Sequence, residues 1–210
     1  MPVTPDPATI RDFPDAAAFE AWLSAHHESA GELWLQLHKK QSGRPTVTYA
    51  EALDIALCWG WIDGQKKPFD EHSFLQRFTP RKPRSIWSQR NIAHVERLIA
   101  AGRMTPHGLR HVETAKADGR WQAAYAAGRD MQVPEDLLAA IAANPAAQRT
   151  FETLNRQNLF SLAFRTGNMK TPQGGANKIA GFVEMLARGE TLYPNGKGAK
   201  PKGAKPTGEP

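Results

Sequence analysis

The spacing of apolar residues along this chain changes near residue 84, where a mixture of strand and helix patterns gives way to helices alone. Within residues 15–27, large apolar side chains recur three and four positions apart, which predicts an amphipathic helix. Leucines at every second position of residues 33–38 predict a half-buried strand. Residues 65–69 and 73–78 predict the two strands of a hairpin. The first part of the chain is therefore expected to contain a small antiparallel sheet.

The start of a second helix gives the clearest local signal. Thr48 and Glu51 have the spacing of a capping box, in which the hydroxyl and the carboxylate each accept a hydrogen bond from an unpaired backbone N–H group. The helix is therefore predicted to begin at Tyr49. It is apolar on more than one face, as a buried helix is, and Gly60 is expected to end it.

Helices without strands are predicted after Pro83. Ser85 is expected to cap a helix over 86–101, and a further helix is expected over 105–119. Prolines punctuate the rest of the chain and leave helices over 135–143, 146–157 and 177–188. The predicted fold class is α+β, with a small antiparallel sheet and helices in the N-terminal part and a helical C-terminal part.

These patterns divide the chain into four parts. They are a flexible N-terminus over 1–11, an α+β subdomain over 12–84, a helical subdomain packed on it over 85–190, and a disordered basic tail over 191–210. The tail is rich in glycine, proline and lysine. It cannot bury enough apolar surface to offset the entropy that is lost on ordering.

Composition indicates a soluble protein. The 210 residues, 40% of them hydrophobic, suffice for a substantial core. No run approaches the roughly 18 apolar residues of a membrane span, and the N-terminal residues do not have the pattern of a signal peptide. The single cysteine, Cys58, has no partner for an internal disulfide, and its apolar helical surroundings favour an unreactive thiol. We expect a cytoplasmic protein.

Positive charge is concentrated in one segment. Residues 65–91 contain seven lysines and arginines but only two acidic residues, while the rest of the chain is nearly balanced. Pro80 and Pro83 stiffen the middle of this segment, just before the helix predicted at residue 86. The free N–H groups and partial positive charge of a helix start favour an anion. The candidate ligand-binding residues are Trp61, Asp63, Arg81, Lys82, Arg84, Ser85, Trp87, Ser88 and Asn91.

The same residues also have a purely structural interpretation. A helix cap at Ser85, solvated arginines and core tryptophans would explain the pattern without a ligand. Asp63 is either a general base or the first residue of an ordinary Asp-Gly turn. No catalytic residue is assigned.

A metal site and a cofactor are not predicted. His107 and His111 lie four positions apart on a predicted helix, a spacing that suits two ligands of one metal ion, but no third ligand is evident. The sequence contains no phosphate-binding loop, no dinucleotide fingerprint, no paired CxxC and no GxSxG motif.

Five blocks of sequence carry a resemblance to a known family. They read ELWLQLHKK, VTYAEALDIALCWGWIDG, RFTPRKPRSIWSQRN, GRMTPHGLRHVETAKADGRW and FVEMLARGET. Over about residues 12–194 the chain resembles the YdeI/OmpD-associated family, also labelled bacteriocin-protection proteins. The resemblance implies an N-terminal part similar to frataxin-like and YdhG-like domains, with helices appended. It also implies a role in stress or antimicrobial-peptide resistance, and it implies no catalytic residues.

The chain departs from the family pattern near its C-terminus. Where relatives tend to have an arginine-rich stretch, residues 167–182 read GNMKTPQGGANKIAGF. The family name also implies an association with a porin. Direct contact with a porin is not expected for a chain in which no export signal is recognised.

Three functional hypotheses follow. The leading one is a cytoplasmic stress-associated protein that binds an anionic small molecule or an acidic peptide at residues 61–91. The second is an enzyme of unknown reaction that uses Asp63 with Ser85 or Ser88. The third is weak nucleic-acid binding, indicated by a pI of about 9.6 and by basic residues interleaved with tryptophan. It ranks lower because charge outside the basic segment and the tail is nearly balanced.

Overall fold

The computed structural model of the protein describes residues 4–126, 132–169 and 171–195. The chain divides into two compact units, Met1–Tyr125 and Ala126–Pro210. This division falls after residue 125 and not, as predicted, between residues 84 and 85. The reason is that the two helices that follow the sheet pack in one apolar cluster with a helix from the sheet region, so they belong to the first unit.

A four-stranded sheet lies in the first unit. Its strands are β1 (Ile10–Asp12), β2 (Leu33–His38), β3 (Trp61–Pro68) and β4 (Ser73–Pro80), in the order β1-β2-β4-β3. β1 runs parallel to β2, and the other neighbours are antiparallel. β1 begins within residues 1–11, the N-terminus that was predicted to be flexible. The strand was not predicted because three paired residues are too few to leave a sequence pattern. Residues 1–3 lie outside the described part of the chain.

β3 and β4 form the predicted hairpin, but with longer strands. In its turn, Asp70 Oδ1 accepts a hydrogen bond from His72 N at 2.8 Å. The interpretation of Asp63 and Gly64 as a turn was wrong, since both residues lie inside β3. The pairing shifts between Asp63 and Lys66, which marks a bulge. Asp63 is thus held on the sheet, at the position opposite Phe78.

The helices of the first unit are α1 (Ala16–His26), α2 (Tyr49–Cys58), α3 (Gln89–Ala100) and α4 (Pro106–Ala117). The capping box predicted for α2 is confirmed. Thr48 Oγ1 accepts a hydrogen bond from Glu51 N, and Glu51 Oε2 accepts one from Thr48 N. Gly60 follows α2 with a φ of +75°, a conformation that strains any residue with a side chain, and leads the chain directly into β3.

Two apolar clusters hold the first unit together. One joins α1 and α2 to the sheet and includes Phe19 and Leu35. The other joins α2 to α3 and α4 and includes Leu53, Leu98 and Val112. α2 contributes to both clusters, which explains why its sequence is apolar on more than one face.

The described helices of the second unit are α5 (Glu135–Ala142), α6 (Pro145–Glu152), α7 (Arg156–Gly167) and α8 (Pro172–Ala187). The α+β class with a helical C-terminal part is therefore confirmed. α7 was not predicted, and α8 begins at Pro172 instead of residue 177. Thr171 caps α8 by accepting a hydrogen bond from Gly174 N, so a pattern interpreted as a break is a helix start. Within the described residues, no helix has the length and apolarity to cross a membrane.

Order in the second unit extends into the predicted tail. Asn158 Oδ1 accepts a hydrogen bond from Tyr193 N, and its Nδ2 donates to Tyr193 O, both at 2.9 Å. Asn195 Oδ1 accepts a further hydrogen bond from the same amide group. Residues 191–195 are therefore held against α7, and the rest of the predicted tail, 196–210, lies outside the described residues.

Candidate functional site

The start of α3 differs from the prediction. The helix begins at Gln89 instead of residue 86, and Ser88 is its cap, with Oγ 3.2 Å from Asn91 N. Gln89 N donates a hydrogen bond to Tyr125 O at 2.9 Å. Two of the N–H groups at this helix start are thus already paired within the protein.

Ser85 has a different role from the predicted cap. Its Oγ accepts a hydrogen bond from Lys82 N at 3.0 Å and closes a turn. Ile86 and Trp87 lie before the helix, so the prediction of an anion-binding helix start at residue 86 was wrong. An anion site in this segment would therefore not be a helix start at residue 86.

Arg81 is drawn into the protein. The residue is only 5% exposed, and its guanidinium carbon lies 3.5 Å from the centre of the Trp87 ring. Its Nη1 donates to Ile86 O at 3.3 Å, whereas the buried Nε has no hydrogen-bond partner among the described residues. Burial lowers the pKa of Arg81 to about 10, and the charge of Asp63 opposes this shift. The guanidinium group therefore remains charged at neutral pH.

Two tyrosines lie near Asp63, and a serine is hydrogen-bonded to one of them. Tyr49 donates its hydroxyl hydrogen to Asp63 Oδ2 at 2.7 Å, and burial together with Asp63 raises the pKa of Tyr49. Burial and Asp63 also raise the pKa of Tyr125, while a hydrogen bond with Ser88 and the charge of Arg81 lower it. Both phenols therefore stay protonated at neutral pH. We call Tyr49, Asp63, Arg81, Ser88 and Tyr125 the Arg81 cluster.

The structure brings together only part of the predicted set. Four of its members lie in this cluster or against it: Asp63, Arg81, Trp87 and Ser88. Lys82 and Arg84 are exposed, and Asn91 is buried. Trp61 is buried in the cluster of α1, α2 and the sheet. Tyr49 and Tyr125 were missed, because no spacing in the sequence links either residue to Asp63.

A second polar site lies beside Gly60. A cavity of about 240 Å³ is lined by His27, Glu28, Trp59, Gly60, Trp61, Pro80, His107, Arg110 and His111, and we call it the histidine pocket. The ring centroids of His27 and His107 are 4.0 Å apart. Burial lowers the pKa of His111, and the charges of Arg81, Arg110 and Arg120 add to the shift. The sequence indicated His107 and His111 but not His27, which meets them only in the tertiary structure.

The second unit carries a larger groove along α5 and α8. Its volume is about 1020 Å³, and its walls are mostly apolar or small side chains. The lining residues are Asp136, Ala140, Ala143, Thr166, Met169, Thr171, Pro172, Gly175, Ala176, Ile179, Ala180, Val183 and Glu184. Asp136 and Glu184 are the charged residues among them. Lys170, which stands between two lining residues in the sequence, lies outside the described residues.

The fold defines an α+β protein with a separate helical unit. Residues 130–189, in that unit, match a family model described as Bacteriocin-protection, YdeI or OmpD-Associated. Residues 11–111 match a second model, described as Domain of unknown function (DUF8412). No curated protein and no solved structure matches the chain.

Residues 130–189 are thus similar to the bacteriocin-protection, YdeI- or OmpD-associated family. The resemblance predicted from the sequence is confirmed for this segment. The predicted span, 12–194, was wider than the match, and the sequence blocks of the sheet region fall in the DUF8412 segment.

Proposed function

We propose that the protein binds a small anionic ligand, one that presents a carboxylate or a phosphate group, at the Arg81 cluster. One observation carries this proposal: the charged guanidinium group of Arg81 is buried, and the described residues give it a single hydrogen bond. A guanidinium group has five N–H donors, and the described contacts of Arg81 use one of them. Buried donors without acceptors are unfavourable, and an anion accepts two parallel hydrogen bonds from arginine.

The charges around the cluster favour an anion over a neutral guest. The positive charge of Arg120 lowers the pKa of Arg81, and the positive charge of Arg90 likewise lowers the pKa of Tyr49. Asp63 supplies a negative charge that opposes them. Arg120 is itself paired with Asp118 at 2.7 Å. With a bound ligand of one negative charge, the formal charges of Arg81, Arg90, Asp63 and the ligand would cancel.

The contacts of the serines support binding more than turnover. Ser85 Oγ and Ser88 Oγ each accept a hydrogen bond from a backbone N–H group, and Asp63 is hydrogen-bonded to Tyr49. A catalytic serine needs a base within hydrogen-bond reach, and none of the described contacts pairs Asp63 with either serine. An acidic peptide would use Lys82 and Arg84, which are exposed outside the cluster. We therefore rank a small anion above an acidic peptide as the ligand. We also propose that the protein is located in the cytoplasm, which cell fractionation would test.

Isothermal calorimetry with phosphate, sulfate, acetate and citrate at constant ionic strength tests this function. We expect at least one anion to bind the wild-type protein and the Arg84→Gln variant, and to bind Arg81→Gln at least tenfold more weakly. Arg84 is a suitable control because it is an exposed arginine of the same loop. If Arg81→Gln does not fold, Arg81→Lys keeps the charge and loses the paired donors. Equal binding by Arg81 and Arg84 variants, or no binding to wild type, would reject the proposal.

A second candidate function follows from the groove along α5 and α8. The groove is apolar with Asp136 and Glu184 at its charged positions, and it lies in the segment matched by the bacteriocin-protection model. An apolar wall with acidic residues suits a cationic amphipathic helix, which would bury its apolar face and pair its lysines. We propose such a peptide as the occupant.

Fluorescence anisotropy with a labelled cationic amphipathic peptide tests this second function. We expect Asp136→Asn with Glu184→Gln to weaken binding and reduce its salt dependence. Glu152→Gln is the control, because Glu152 is an exposed carboxylate of the same unit outside the groove lining. Binding that is equal in both variants, or that is equal for a peptide with its apolar face scrambled, would reject the groove as a peptide site.

A further inference from the structure

His27, Glu28 and His107 bring three metal-ligand groups together from the segment just after α1 and from the start of α4. His27 is the residue that follows α1, and His107 lies in the first turn of α4. One ligand atom from each of the three lies within 4.8 Å of the other two. Glu28 Oε1 is 3.8 Å from His27 Nε2 and 3.6 Å from His107 Nδ1. Ligands held at about 2.1 Å around a tetrahedral ion lie about 3.4 Å apart, so these side chains need to close only slightly.

The orientation of His27 points to an electron-pair acceptor in this place. Its Nδ1 lies 3.1 Å from Leu23 O, which places the proton on Nδ1 and the lone pair on Nε2. Nε2 is buried and has no hydrogen-bond partner among the described residues. A lone pair beside the carboxylate of Glu28 is unfavourable until a cation lies between them. A ring nitrogen that donates to a backbone carbonyl is also the usual outer contact of a metal-ligating histidine.

The surroundings of the three groups include one opposing charge. The negative end of α1 adjoins His27 and Glu28 and favours a cation. On the other side, Arg110 Nη2 lies 3.1 Å from His107 Nδ1 and competes for the same lone pair. Arg110 is exposed, and Glu28 is 73% exposed. Arg110 is thus able to swing into solvent when an ion takes its place.

We propose that His27, Glu28 and His107 form a binding site for a divalent transition-metal ion of the zinc type. Two imidazoles and one carboxylate suit zinc, cobalt or nickel and do not suit calcium or magnesium, which take mostly oxygen ligands. Three protein ligands leave a fourth position for water or a small ligand. The histidine pocket, which these three residues help to line, gives that position a cavity of about 240 Å³.

Titration of the full chain, free of any histidine tag, with Zn²⁺ and Co²⁺ tests the site. We expect one ion per chain, with the visible absorption of tetrahedral Co²⁺. His27→Gln, His107→Gln and Glu28→Gln are each expected to weaken binding at least about tenfold. Arg110→Ala is expected to strengthen it, since the competing donor and its charge are removed.

His26→Gln is the matched control, because His26 is an exposed histidine of the same helix end. It is expected to bind like wild type. The absence of one-to-one binding, or binding that survives His27→Gln and His107→Gln, would overturn the proposal. If His27→Gln fails to fold, Glu28→Gln decides, because Glu28 is mostly exposed. None of these variants alters the Arg81 cluster, so this site and the proposed anion site are tested separately.

Discussion

Arg81 and Trp87 form a cation–π pair, in which the guanidinium carbon lies 3.5 Å from the centre of the indole ring. Trp87 also belongs to the cluster that joins α2 to α3 and α4. The same indole thus contributes to the core and covers one side of the buried charge. This relationship links the proposed binding function to the stability of the first unit.

Replacement of Trp87 by alanine is expected to lower the free energy of unfolding by about 3–5 kcal/mol. The indole is 2% exposed, so its removal leaves a cavity and also uncovers Arg81. Urea denaturation monitored by circular dichroism measures the loss. Ile86→Ala is the control, because its side chain is 44% exposed and should change stability by less than about 0.5 kcal/mol. Similar losses for the two variants would contradict this account.

Gly108 is expected to resist a substitution that usually stabilises helices. A Cβ atom at this position of α4 would lie 2.3 Å from Cys58 O and 2.8 Å from Leu57 O, which are backbone atoms at the end of α2. Gly108→Ala is therefore expected to destabilise the first unit, as measured by thermal unfolding. Gly181→Ala, with open space at the same atom, is expected to stabilise the second unit by up to about 1 kcal/mol. A stabilised Gly108→Ala variant would refute the close approach.

His111 is expected to make the protein less stable in mild acid. Burial lowers its folded-state pKa, with a further contribution from Arg81 and the other nearby arginines. The unfolded chain then binds the proton more readily, so this stability is present above pH about 6.5 and is lost as the pH falls toward the folded-state pKa. His111→Asn should therefore flatten the fall in denaturation midpoint below pH about 6.5. His26→Asn should leave this fall in midpoint unchanged. Equal pH profiles for wild type, His111→Asn and His26→Asn would contradict the prediction.

Asn158 is expected to hold residues 191–195 in place. It is 1% exposed, and its amide group makes hydrogen bonds to both backbone polar groups of Tyr193. Asn158→Ala should release this segment and leave those groups unpaired, so the backbone amide of Tyr193 is expected to exchange its hydrogen with deuterated solvent faster than in wild type. Asn168→Ala, at an exposed asparagine of the same region, is the control. Unchanged hydrogen exchange at Tyr193 in Asn158→Ala would show that other contacts hold the segment.

Local patterns predicted a large part of the first unit. The start of α2 followed from Thr48 and Glu51, which interact across three residues, and β2 followed from the alternation of leucines. The start of α3 was misplaced because both Ser85 and Ser88 are good caps in sequence terms. The choice of Ser88 depends on Tyr125, whose backbone oxygen accepts the first N–H of the helix from a distant part of the chain.

The fold class, the start of α2 and the concentration of positive charge around Arg81 follow from residue type and short-range spacing alone. Tertiary structure decided which of the arginines is buried, and it placed Tyr49 against Asp63 and His27 against His107. Such pairs depend on how the helices of the first unit pack on the sheet and on one another. Packing joins residues that are far apart in the chain, and no short-range pattern records those contacts.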